Sequence, residues 1–511
     1  MSGPHFPAVH PRPPRHWVND PNGLVFHDGH YHVFFQYNPH SVRHRDMHWG
    51  HYRSADLLHW EELPVALAPT PGGDDADGVW SGNAVDDGGR LVAFYSARRE
   101  DRWWQPVTSA VSYDGGLTFA KRPGLLVAEP PPGTSMFRDP YVWRDGERWR
   151  MLVGSALTDG RGAAQHYVSD DLEHWTHLGP FLARAPEPLP GGGDTEEGWE
   201  CVQYAAFPDG RGVLLLSAWD PEGGAARTAA YAGRDDGTSF TAGTPQRLDH
   251  GPDFYAPALL PAPDGRWLMW AWSWEARDAE RVGAPSTWTD EAGWAGLLTL
   301  PRELTLAPDG TAHQRPAREL HALRGAETVR AEGAAPPGAP YDLGPVGRAF
   351  DLAARLHRSP DGRSASGIRL VMSPDEYLDV ALDPATGDLV ADRTHASRSA
   401  RARGGSWRIP GAAAPGGSAE VRLLVDHSIA EVFLGTGESL TLRFYPLGAD
   451  PWRLQARTTG TGAAPFTARA WPLSPDRARR PLPTAVSRPA TPPSAGRPPR
   501  RPGPGPASRT P

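Results

Sequence analysis

The chain reads as an all-β protein, a five-bladed β-propeller followed by a C-terminal β-sandwich, and three observations lead to that class. The first is a unit repeated five times: an aromatic, a short polar motif, an apolar run, a D-G or G-G turn, then a second apolar run. Its copies are WVNDPNGLVFHDGHYHVFFQY, VWSGNAVDDGGRLVAFYSA, FRDPYVWRDGERWRMLVGS, WECVQYAAFPDGRGVLLLSA and FYAPALLPAPDGRWLMWAW. The second is a shorter unit between the copies: Ser54 and Asp56 with Trp60, Ser112 and Asp114 with Phe119, Ser169 and Asp171 with Trp175, Gly233 and Asp235 with Phe240. The third is a change of character after Pro301.

Every copy alternates apolar and polar residues around its turn, which is the period of strands and hairpins, and no comparable stretch has helical period. Units of about 60 residues cannot bury their own faces, and radial packing as four-stranded blades solves that for all five at once. Residues 10–310 are therefore the expected propeller. A connector rich in Ala, Gly, Pro and Arg follows over 311–340, with PARELHALRG as its short helix. The alternating segments SGIRLVMS, YLDVALD, AEVRLLVDHSIAEVFL and SLTLRFYPL then read as a β-sandwich over 341–474. Over 475–511, proline and arginine replace the apolar residues a core needs, which reads as a disordered tail.

Composition narrows the function. A net charge of -8, with no run of Lys or Arg in the body, gives no reason to bind nucleic acid. Cys201 is the single cysteine, so no intrachain disulfide can form. The N-terminus lacks the apolar segment of a secretory signal, and no stretch approaches the roughly 18 apolar residues of a membrane span. The expectation is a cytoplasmic protein, a monomer or weak homodimer, with no membrane partner. His44, His48, His51 and His59 form no compact metal signature, and neither a G-x-S-x-G elbow nor a phosphate- or dinucleotide-binding loop is present. Neither a metal nor a cofactor is expected.

In a propeller the polar motif opening each copy lines the axial channel. Asp20, Asn83, Asp139 and Glu200 would then converge from copies one to four, bringing three carboxylates into one pocket. Breaking a glycosidic bond takes one carboxyl to protonate the departing oxygen and another to capture the oxocarbenium-like carbon. Asp20 lies in N-D-P-N-G, where Pro21 and Gly23 fix the backbone, and fixed geometry suits a nucleophile. Glu200, beside Trp199 and Cys201, is the expected general acid. Asp139 is flanked by Arg138, expected to keep it ionised as an acceptor for two sugar hydroxyls. Trp17, Trp49, Trp80, Phe137, Trp199 and Tyr255 stand beside these motifs and could cover the apolar faces of a sugar. Cys201 has no base partner and suits a structural or acid-tuning role.

These residues carry a resemblance. HWVNDPNG at 16–23, FRDP at 137–140 and WECVQ at 199–203 resemble the signature motifs of glycoside hydrolase family 32, the invertase, levanase and inulinase family. The likeness extends to FFQYNP, WSGNA, DFYAPA and LPREL, and DHSIAEVFLGTGESLTLRFYP looks like the signature of that family's C-terminal sandwich. The resemblance implies retaining, metal-free hydrolysis of β-fructofuranosides, with Asp20 as nucleophile, Glu200 as acid/base and Asp139 as transition-state stabiliser. It also implies that Asn19, Gln36, Trp49 and Arg138 hold the fructosyl unit. Trp80, Ser81 and Asn83 form the WSGNA wall; Trp80 and Asn83 stand where the family commonly has Phe and Ser, so that wall would be bulkier. The expected substrate is sucrose or a short fructoside. Exo-levanase or exo-inulinase action on fructans, fructosyl transfer, and a non-catalytic sugar-binding propeller are the alternatives. Arg43 and Arg45 could serve a phosphorylated sucrose, or be surface arginines.

Overall fold

The computed structural model describes residues 3–220, 224–277, 287–448 and 451–474; the tail expected over 475–511 lies outside them. Strand is the dominant secondary structure of the described chain. Its helical pieces are the α-helix Thr287–Ala292, which no sequence signal announced, and the 3₁₀ turn Arg318–Leu323, which falls in the expected PARELHALRG. Among the described residues no helix is long and apolar enough to cross a membrane.

All five repeat copies fold as hairpins. The opening strands His16–His27, Gly78–Asp87, Thr134–Asp145, Gly198–Ala206 and Tyr255–Pro261 each pair antiparallel with the strand that follows. The D-G turns reverse the chain through left-handed glycines such as Gly29 and Gly146, at φ 75° and 62°. The shorter units are polar turns between the third and fourth strands. Asp56 accepts the amides of Leu58 and His59 at 2.9 Å, and Asp171 those of Glu173 and His174 at 2.8 Å. Five sheets result, and the opening strand of each lies beside the opening strand of the next, the fifth lying beside the first. Trp294–Ala295 joins the first sheet in parallel with His16–Trp17, so the first sheet is completed by a late segment of the chain.

The stretch 311–340 is more structured than a connector. Ala312–Pro316 is the outer strand of the fifth sheet, the 3₁₀ turn follows, and Val329–Ala335 already pairs with Ala464–Pro472. Two six-stranded sheets form the C-terminal sandwich, with Phe350, Leu370, Leu423, Val432 and Leu454 among its core.

The seam between the fifth sheet and the sandwich is polar and fully buried. Arg302 reaches Asp249 at 2.9 Å and Glu431 at 2.6 Å, and Ser439 and Thr441 complete the hydrogen bonds to Asp249. The N-terminal segment straps across this seam. Asp426 accepts the amides of Ala8, Val9 and His10, and the His10 ring bridges Asp426 and Glu431 at 2.8 and 3.0 Å. Arg12 in turn donates to Gly296 O at 2.6 Å beneath the first sheet.

Candidate active site

Each opening strand carries a β-bulge near its start. The pairing skips between Val18 and Pro21, Val79 and Gly82, Arg138 and Pro140, Glu200 and Gln203, and Tyr255 and Ala258. A bulge bends a strand and re-aims its side chains, and it is these bulges that carry the polar motifs. Asp139, Cys201 and Ala256 sit at the apex of theirs in the left-handed conformation, at φ 65°, 46° and 49°, which costs a non-glycine residue about 1 kcal/mol or more. The carboxylates therefore do not occupy matching positions, as the repeat suggested. Cys201 matches Asp139; Glu200 lies one residue earlier and matches Arg138 and Tyr255. Glycine is needed below the first bulge, because a Cβ on Gly23 (φ 52°) would lie 2.7 Å from the Phe34 ring and 2.9 Å from that of Trp49.

Three carboxylates meet at these bulges. The Cys201 thiol lies 3.7 Å from Oδ2 of Asp20 and 3.6 Å from Oδ2 of Asp139, and its backbone N–H donates to Asp139 at 3.1 Å. Ser81 donates its hydroxyl to Asp20 at 2.7 Å, while Trp17 holds the Asn19 amide oxygen at 2.8 Å. Burial pushes Asp20 up to about 6, reinforced by Glu200 and opposed by Ser81, Asn19 and Cys201. Burial likewise raises Asp139 to about 7; Arg138 acts against the shift, and Glu200 and Asp20 add to it. The Cys201 thiol is driven well above its ordinary range, first by burial and then by the three carboxylates, so it stays protonated and can offer its S–H to them.

The guanidinium of Arg138 is not on Asp139. It lies on Glu200 Oε1, with Nε at 2.9 Å and Nη2 at 2.6 Å, while the Tyr255 hydroxyl donates to Oε2 at 2.6 Å. The side chain of Arg138 is long enough to reach from the third sheet into the fourth, and two charge-assisted hydrogen bonds to the one oxygen Oε1 of Glu200 win over its chain neighbour. The charge of Arg138 still favours the ionised form of Asp139, but burial outweighs it, which corrects the expectation that Arg138 keeps Asp139 ionised. The side chain of Glu200 remains 16 % exposed.

Other expected residues stand behind this surface. Asn83 exchanges two hydrogen bonds with the backbone of Val142, at 2.7 and 2.8 Å, tying the second sheet to the third. Gln36 donates to Val79 O at 3.0 Å and ties the first to the second. Trp49, Phe137 and Trp199 are fully buried in the cores between sheets. Trp80 is half-buried, with Arg98 and Arg138 over its ring at 5.3 and 5.9 Å.

Sequence reasoning left out His44. Its ring packs 5.8 Å from both Trp17 and Trp80, and desolvation lowers it to about 4, so it is neutral above that. Trp274 was also missed; it stacks on Tyr255 at 5.3 Å. Neither belongs to a repeat motif, and only the fold brings them here. Among the described residues no group of His, Cys, Asp and Glu is arranged to hold a metal ion.

Glycosidic cleavage requires a pair of carboxyl groups facing one site, and Asp20, Asp139 and Glu200 can supply it. The chain matches the models of the glycosyl hydrolases family 32 N-terminal domain over residues 10–316 and of the family 32 C-terminal region over 319–472. It is 31 % identical over 479 residues to the sucrose-6-phosphate hydrolase of Zymomonas mobilis, covering 87 % of this chain and 88 % of that one. It is 34 % identical over 466 residues to the raffinose invertase of Escherichia coli, covering 86 % and 90 %. Among solved structures, the GH32 beta-fructofuranosidase of Bombyx mori superposes with a TM-score of 0.74 at 25 % identity, covering 92 % of this chain and 94 % of that one.

Proposed function

The chain belongs to glycosyl hydrolase family 32 and is a glycoside hydrolase of fructosides, and from that premise we propose that it removes the terminal β-D-fructofuranosyl unit of sucrose and short fructosides with retention of configuration. The convergence of Asp20, Asp139 and Glu200 around Cys201 carries this reading. Glu200, clamped by Arg138 and Tyr255, protonates the departing oxygen. Asp20 attacks the anomeric carbon and forms a covalent fructosyl-enzyme, and Glu200 then takes a proton from the water that resolves it. Asp20 must be ionised to attack, so with its pKa near 6 activity falls as the pH drops below that value. Asp139 grips fructosyl hydroxyls, and Asn19, Ser81, Trp80 and His44 shape the pocket. Asn83, Gln36 and Trp49 form the wall behind it.

The five sheets are read as blades of one propeller around this channel, over about residues 10–316, and the sandwich as a separate C-terminal domain; the ring of neighbouring opening strands supports that division. Sucrose is favoured over a phosphorylated form because Arg43, one of the two candidate cations, already pairs with Asp290 at 2.5 Å.

The test is to incubate the purified chain with sucrose and methanol and follow the products by NMR. Glucose and methyl β-fructofuranoside are expected alongside free fructose. No release of fructose, or a methyl α-fructofuranoside, would overturn the reading.

A further inference from the structure

The Arg138 guanidinium touches more than Glu200. It lies over the indole of Trp219 at 5.1 Å and over that of Trp80 at 5.9 Å. Trp80 stands on the strand Gly78–Asp87 of the second sheet and Trp219 on the strand Gly212–Asp220 of the fourth. The indoles therefore come from the two sheets that flank the third, which carries Arg138 on Thr134–Asp145. Each indole is seated on a glycine of an opening strand. A Cβ on Gly78 would lie 2.9 Å from the Trp80 ring, and one on Gly198 2.7 Å from the Trp219 ring. Arg98 also lies over Trp80, at 5.3 Å, and is itself fixed by donating to the Arg102 carbonyl at 3.2 Å.

This seat bears on which carboxylate Arg138 serves. Asp139 is its chain neighbour, and it is bonded instead to the thiol and backbone N–H of Cys201. A guanidinium over an aromatic face gains more when desolvated, and only 10 % of the Arg138 side chain is exposed. Two indoles thus favour the one position in which it reaches Glu200. Nε and Nη2 both fall on Oε1, at 2.9 and 2.6 Å, which leaves the proton of the acid form to Oε2. Oε2 is the oxygen met by the Tyr255 hydroxyl at 2.6 Å, and that hydroxyl has a second acceptor in Ala218 O at 3.0 Å. As Oε2 gives up its proton, negative charge develops on Glu200, and a guanidinium already in place meets it without rearrangement.

We propose that Trp219 and Trp80 are positioning residues for proton transfer: they keep Arg138 on Glu200, and turnover depends on them in proportion to how poor the leaving group is. The proposal rests on the catalytic reading given above and deepens it. In the step concerned the Asp20 carboxylate forms a bond to the anomeric carbon, the glycosidic C–O bond breaks, and its electron pair takes the proton of Glu200. A sugar alkoxide needs that proton to depart, whereas 4-nitrophenolate does not.

The experiment compares kcat/KM on sucrose with kcat/KM on 4-nitrophenyl β-D-fructofuranoside for the full chain, Trp219→Leu and Trp219→Phe. The leucine variant should lose roughly 5- to 30-fold on sucrose, the value of one partly desolvated cation–π contact, and the phenylalanine variant should recover most of it. On the aryl fructoside the leucine variant should change by less than about 2-fold, because bond cleavage there needs no acid. In a Glu200→Gln background, adding Trp219→Leu should cost nothing further on sucrose, since the group it positions is gone. Trp219→Met keeps the bulk without the ring and carries the same expectations should the leucine variant fail to fold. An equal loss on both substrates, no loss on sucrose, or a loss that persists in the Glu200→Gln background would overturn the positioning role. Failure of the unaltered chain to release fructose from sucrose would instead count against the catalytic reading itself.

Discussion

The seam and the candidate active site both bury carboxylates, and they treat them in opposite ways. At the seam, Asp249 and Glu431 share Arg302, while Asp426 and Glu431 share His10. These cations hold Glu431 and Asp426 below the usual carboxylate range despite complete burial, and the two carboxylates raise His10 to about 9. At the candidate active site, Asp20, Asp139 and Glu200 have one guanidinium between them, and it hydrogen-bonds Glu200. Asp20 and Asp139 are left with the Cys201 thiol and backbone N–H, the Ser81 hydroxyl and the Asn19 amide, and both rise. Paired buried charge joins two parts of a fold, whereas unpaired buried charge is destabilising and is kept where chemistry uses it.

That contrast predicts which substitutions harm activity and which harm stability. The largest effect is on turnover: Glu200→Gln should lower kcat on sucrose by about 10³-fold or more with little change in thermal midpoint, measured by fructose release and calorimetry. Second is the seam. Arg302→Met strands Asp249 and Glu431 without their cation and should cost about 3–5 kcal/mol of unfolding free energy in urea titration, while the folded fraction keeps its KM.

Third, the candidate active site should show the reverse sign. Asp139 has a raised pKa, so the native state holds more protons than the unfolded chain between about pH 4 and 7, and stability declines as pH rises through that window. Asp139→Asn should lessen the decline, leaving the part due to Asp20, and make the protein more stable than its parent at pH 8 by about 1–3 kcal/mol, although nearly inactive. Smallest is the strap. His10 contributes stability that is complete below pH 6.5 and lost as pH rises through about 9. His10→Asn should therefore flatten the fall in thermal midpoint between pH 7 and 9.5; an identical slope would remove His10 from the account.

Much of this was legible because it is written locally. Five hairpins announce themselves by D-G turns between apolar runs, and N-D-P-N-G, F-R-D-P and W-E-C name their carboxylates. What escaped depends on residues far apart in the chain. The identity of Arg138 is plain, but which carboxylate it meets depends on the offset between bulges in the third and fourth sheets. Trp49 and Trp199 stand beside polar motifs in sequence yet point into the cores between sheets, because neighbours along a strand face opposite ways. Residues 8–12 carry no periodic signal, and their partners Asp426 and Gly296 lie hundreds of positions away. Asp426, Glu431, Ser439 and Thr441 read as ordinary strand residues until the seam explains why they are polar and buried.

The most direct measurement is made on Asp20→Asn, taking kcat on sucrose and the thermal midpoint from one preparation at pH 7.5. A loss of about 10³-fold or more in kcat, with an unchanged or higher midpoint, is the predicted result, because the substitution removes both the proposed nucleophile and an uncompensated buried charge. Turnover close to that of the parent, or a midpoint that falls along with the activity, would contradict the account.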